Sequence, residues 1–172
     1  MLNIANAITT TNKHIYGLVK WLVFIIAGLM VVEVISRYSL TTPTSWAPEL
    51  ATLLFGPFFL LGGPYLLHMG GHVAVDLVSS RAKGKLKMTL EIAAILLAMV
   101  FGGILLWFSV PLVISSFNYA ETSYSAWNPI VWPSKAALPF ASLLLLLQGF
   151  AELVFIIGDS NGSETSTVNE VK

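Results

Sequence analysis

Four long apolar blocks alternate with short polar stretches along the chain. They run from about Ile15 to Tyr38, Trp46 to Leu67, Leu86 to Ser115 and Ala136 to Ile157. Each is long enough, as a helix rising 1.5 Å per residue, to cross roughly 30 Å of hydrocarbon. In lipid every backbone amide needs an internal partner, and a helix supplies all of them itself. The pattern therefore predicts an all-α membrane protein with four transmembrane helices, forming one domain over residues 1–157. Residues 1–14 are polar and mixed, and precede the first span. The tail from residue 158 to 172 is small, polar and acidic, and is predicted to be disordered.

Local signals sharpen the boundaries. Trp21 and Tyr38 sit near the ends of the first block, where aromatic rings favour the interface. Thr41 to Ser45 then interrupts the apolar pattern without any charge. Ser45 is placed to cap the second helix, and Pro48 suits a first turn that needs no amide. Glu49 suits the positive end of the helix dipole. Pro57, Gly62, Gly63 and Pro64 predict a kink and an irregular last turn in that helix. Between spans three and four, Tyr119, Tyr124, Trp127, Pro129, Trp132 and Pro133 suit a loop lying on the headgroup layer.

The stretch from His68 to Lys87 divides the two apolar halves. Within it, residues 72–81 have the profile of a short amphipathic helix. Val73, Ala74, Val75, Leu77 and Val78 share one broad face, and His72, Asp76, Ser79 and Ser80 the other. Such a helix lies in the interface, with Arg81 reaching up to phosphate.

Composition agrees with the pattern. Charged residues are 10% of the chain, where roughly a quarter is usual in soluble domains. Net charge is zero, so no basic excess points to nucleic acid. With no cysteine, disulfides, thiolate chemistry and cysteine metal sites are all excluded. The first block exceeds the 7–15 apolar residues of a signal peptide and lacks an Ala-x-Ala-like cleavage site. Four of the nine basic residues, Arg81, Lys83, Lys85 and Lys87, fall in the central stretch, and Lys13 and Lys20 precede or open span one. By the positive-inside rule both termini and the central loop are expected to be cytoplasmic.

Few side chains offer chemistry. His68, His72 and Asp76 are four apart, but Gly70-Gly71 would break the helix that a shared metal site assumes. None of the three histidines lies inside a predicted span, which disfavours haem. Glu33 and Arg37 are one turn apart and predicted to pair, with Glu49 a further candidate partner for Arg37. Gln148 and Glu152 give span four a polar stripe, and Glu91 does so for span three. Mid-span positions are Leu, Ile, Val, Phe and Gly, with no inverted repeat or unwound midplane helix to bind an ion. Paired catalytic carboxylates and phosphate loops are absent too. A supporting role is expected, without catalysis and without a cofactor in this chain.

Ser36-Arg37-Tyr38 closes the first span, and Trp46-Ala47-Pro48-Glu49-Leu50 opens the second. His72-Val73-Ala74-Val75-Asp76-Leu77 follows in the central loop, then Trp132-Pro133-Ser134-Lys135, Pro139 and Leu147-Gln148-Gly149. In this order and topology the chain resembles the DctQ-like small membrane subunit of tripartite ATP-independent periplasmic (TRAP) transporters, over about residues 15–157. Pro48 departs from the pattern, since many members carry an acidic residue there. The resemblance implies a bacterial inner-membrane subunit that scaffolds a large DctM-like permease subunit carrying the sodium and substrate sites. A periplasmic DctP-like binding protein would deliver an organic anion, a carboxylate or sulfonate such as a C4-dicarboxylate or sialic acid. Arg37, Trp46 and Glu49 would then lie at the outer surface, and His72, Asp76 and Arg81 at the inner one, contacting partner or lipid. The competing reading is a self-sufficient four-helix, proton-coupled exporter. That mechanism wants a carboxylate near mid-membrane in span one, whereas Glu33 lies toward its end.

Overall fold

The computed structural model describes residues 2–69 and 85–169, with backbone alone for residue 85 and residues 159–169. These form five helices: α1 (Leu2–Val19), α2 (Leu22–Tyr38), α3 (Trp46–His68), α4 (Lys85–Asn118) and α5 (Trp132–Asn169). No strand occurs among the described residues, and four segments are long and apolar enough to cross a membrane. The amphipathic helix expected at residues 72–81, with His72, Asp76 and Arg81, lies outside the described residues.

The first span differs most from expectation. Helix begins at Leu2, and a turn at Lys20–Trp21 divides the apolar block into α1 and α2. Ala5, Asn12 and Val19 are the buried positions of α1, seven residues apart. That spacing is a coiled-coil seam, so the polar lead folds because it has a helix to pack against. Tyr16 packs in a tilted arrangement against Tyr65 of α3, ring centroids 5.1 Å apart. At the far end, α5 runs to Asn169, and its apolar spanning part ends at Gly158.

The helices make an open row rather than a closed bundle. α5 is central, flanked by α3 and α4, with α1 packed on both α3 and α5. α2 packs mainly on α3, and α4 packs on α5 alone among the described elements. Two devices hold the row together. Pro57 has no amide to bond the Leu53 carbonyl one turn back, and Ser134 of α5 donates its hydroxyl to that carbonyl instead, at 2.8 Å. The proline expected only to kink α3 thus supplies a docking point. Between α4 and α5, a Cβ on Gly149 would stand 2.6 Å from Met99 Cγ, and one on Gly102 3.3 Å from Leu145. At Gly149 the Met99 side chain would have to move to admit a Cβ, whereas at Gly102 Leu145 would need to give by only a few tenths of an ångström.

Gly149→Ala should therefore cost about 1–3 kcal/mol by overpacking. Met99→Ala in the same chain should recover most of the loss, because it removes the atom in the way. Thermal unfolding of the four-member mutant cycle in detergent measures this. Additive losses would show that the close approach carries no energy.

Candidate functional site

The polar side chains gather in knots at the two ends of the helices. At the end where α3 finishes, Gln148 of α5 is completely buried. Its carbonyl accepts from Asn12 Nδ2 at 2.7 Å. Its amide donates to Thr9 Oγ1 at 3.0 Å and to Glu152 Oε1 at 2.7 Å. Glu152 Oε1 also lies 2.6 Å from His68 Nδ1 of α3. One glutamine thus ties α1 to α5 and, through Glu152, to α3. A buried polar network of this kind fixes register, because any slip leaves donors and acceptors unpaired.

The opposite end carries the second knot. Glu33 is buried and accepts from Arg37 Nε at 3.0 Å and Nη2 at 2.5 Å. Its other oxygen accepts from the Thr44 amide at 2.9 Å and from the Thr44 hydroxyl. The predicted Glu33–Arg37 pair forms and also closes the loop between α2 and α3. The suggested Arg37–Glu49 pair does not form, because Glu33 takes the guanidinium. Glu49 accepts from Ser125 Oγ at 2.5 Å instead. Ser45 precedes α3 without a side-chain capping bond, because its backbone is already helical. Trp46 opens α3 partly exposed.

The loop between α4 and α5 folds back on itself. Thr122 and Ile130 form an antiparallel bridge, and Ser123 N donates to the Pro129 carbonyl at 3.0 Å. Tyr124 and Asn128 both adopt left-handed backbone, and Asn128 Oδ1 accepts from the Tyr124 amide at 3.0 Å. Lys135 Nζ bonds Glu121 Oε2 at 2.6 Å and holds that carboxyl below its ordinary pKa. A lowered folded value means the pair stabilises the loop above the ordinary carboxylate pKa. That contribution is lost as pH falls through the lowered value. Trp127 fluorescence should therefore change on acidification, and Glu121→Gln should remove the transition. An unchanged transition in that variant would assign it to another group.

Among the described residues, no three His, Asp or Glu side chains are grouped to hold a metal. The buried mid-span hydroxyls of Ser109 and Ser142 bond carbonyls of their own helices, Leu106 and Leu138. Sequence reasoning found the Gln148–Glu152 stripe but missed its partners. His68 was grouped with His72 and Asp76, and Thr9 and Asn12 with a polar lead. The seven-residue spacing of Ala5, Asn12 and Val19 was the available signal.

A family model described as tripartite ATP-independent periplasmic transporters, DctQ component, matches residues 26–157. No curated protein matches the chain.

Proposed function

The chain belongs to the DctQ family, the small permease component of TRAP transporters, and we propose that it acts as a non-catalytic scaffold for the large DctM-like subunit. In this reading the large subunit carries the sodium and substrate sites. A periplasmic DctP-like protein delivers an organic anion, a carboxylate or sulfonate such as a C4-dicarboxylate or sialic acid. The membrane is the bacterial inner membrane, with both termini cytoplasmic. The Gln148 knot then lies toward the cytoplasm, and the Glu33 knot and the 119–131 loop toward the periplasm. Arg37, Trp46 and Glu49 serve the outer surface, and His72, Asp76 and Arg81 anchor the inner one to partner or lipid.

The observation that carries the scaffold reading is the open row. Among the described elements α4 has a single helix neighbour, and it presents Leu97, Trp107 and Phe108 outward. Polar groups at mid-span are bonded within their own helices. Such a unit offers broad faces to lipid and partner, and no polar path of its own. Glu33, the carboxylate an exporter would use, has its oxygens bonded by Arg37 and Thr44. The test is uptake into proteoliposomes. The chain alone should move nothing, whereas the chain with the large subunit and binding protein should take up an organic anion only with sodium. Proton-driven movement by the chain alone would establish the exporter instead.

A further inference from the structure

We propose that the groove between α3 and α4, floored by α5, holds an acyl chain of an aminophospholipid whose headgroup is bound by Lys87 and Glu91. The inference rests on the chain spanning a membrane and does not depend on the scaffold role. α3 and α4 both pack on α5 but not on each other, which leaves a cavity of about 510 Å³ between them. Phe59 and Phe101 stand as walls, and Gly63, Ala98 and Ala141 keep the interior open. The Ser142 hydroxyl there already donates to the Leu138 carbonyl at 2.8 Å. The interior therefore suits hydrocarbon and, among the described residues, offers no free side-chain donor for a polar ligand.

Its position along α4 identifies the occupant. Lys87, Glu91, Ala94, Ala98, Phe101 and Leu105 follow one another at spacings of four and three, and so share one stripe of the helix. The last four line the cavity. From Ala94 to Leu105 the stripe rises about 16 Å, close to half of the roughly 30 Å hydrocarbon thickness. A groove one leaflet deep matches a lipid tail, whereas a partner's transmembrane helix would need one running the full thickness. The same stripe ends in a cation beside an anion. Lys87 Nζ and Glu91 Oε1 are 3.7 Å apart, and both side chains are exposed. That separation exceeds a charge-assisted hydrogen bond of about 2.8 Å, so each group has capacity left. Lys87 can donate to a lipid phosphate while Glu91 accepts from a primary ammonium. An anionic glycerol headgroup would satisfy only the lysine, and a trimethylammonium has no N–H for the glutamate.

The test is native mass spectrometry of the purified chain, alone and with its large subunit. Delipidated protein is supplied in turn with dioleoyl phosphatidylethanolamine, phosphatidylglycerol and phosphatidylcholine. Wild type should retain about one phosphatidylethanolamine per chain, at least about tenfold more readily than the other two lipids. Ala98→Phe should abolish retention by filling the groove. Ala141→Phe fills it from α5 and should do the same, so one misfolded variant does not decide the matter. Glu91→Gln should keep lipid retention but lose the headgroup preference. Equal retention of all three lipids by wild type, or undiminished retention in both filled variants, would overturn the proposal. So would efficient cross-linking of Ala98→Cys to the large subunit, which would make the occupant a partner helix.

Discussion

Replacing Gln148 by leucine should release α1 from the rest of the protein while leaving the α4–α5 pair intact. The substitution removes three hydrogen bonds at once. It also strands Asn12, which is buried and whose Oδ1 already has no partner. Buried polar groups left unpaired cost about 1–3 kcal/mol each, and interhelical bonds in membranes average about 0.6 kcal/mol. The combined loss should be about 2–4 kcal/mol by these figures. Gln148→Glu keeps the shape but sets a carboxylate beside Glu152, and should be no better. Asn12→Leu paired with Gln148→Leu should recover part of the loss, since an apolar seam replaces a broken polar one. Because the chain has no native cysteine, Tyr16→Cys and Gly62→Cys can report α1 docking by disulfide formation. Undiminished cross-linking in Gln148→Leu would show that apolar packing, not the polar knot, seats α1.

Glu33→Ala should have the second large effect, at the other end of the molecule. One carboxylate accepts from the guanidinium of Arg37 and from both the amide and the hydroxyl of Thr44. Without it, the loop from Ser39 to Ser45 loses its side-chain tie to α2 and keeps only backbone bonds such as Thr42 N to the Ser36 carbonyl at 3.0 Å, and two donors of Thr44 lose their acceptor. The Arg37 side chain is half exposed and can reach the headgroup layer, so most of the damage falls on the loop. Labelling of a cysteine placed at Thr42 should accelerate by about tenfold or more as the loop opens locally. Glu33→Gln keeps an acceptor and should fall between the two. An unchanged labelling rate in Glu33→Ala would show that the loop is held by its own turns.

How much of this was legible from residues alone depends on the interaction. The spans were legible because burying apolar length in lipid is a one-dimensional requirement, written as runs of Leu, Ile, Val and Phe. The Glu33–Arg37 pair was legible because a helix fixes neighbours one turn apart. The Gln148 knot was only half legible. Gln148 and Glu152 are four apart, but Asn12 is 136 residues away from Gln148, and no local rule connects them. The α1 helix was obscured by composition. Thr9, Thr10, Thr11 and Asn12 read as a polar lead, and only a partner helix makes Asn12 part of a seam. Pro57 was legible as a residue that frees a carbonyl one turn back, but α3 runs through it without a break, and the use of that carbonyl by Ser134 is a tertiary fact. The Glu49–Ser125 bond was likewise hidden, because the loop that supplies Ser125 must first fold.

The proposed scaffold role requires that a larger membrane partner complete this open row of helices. Tagging the chain and expressing it with a DctM-like large permease subunit tests this most directly, by co-purification in mild detergent. The account predicts a stable one-to-one complex, and a chain expressed without the partner that is less stable and more readily proteolysed. A chain that purifies alone as a stable monomer or homodimer, with no association when both are present, would contradict it.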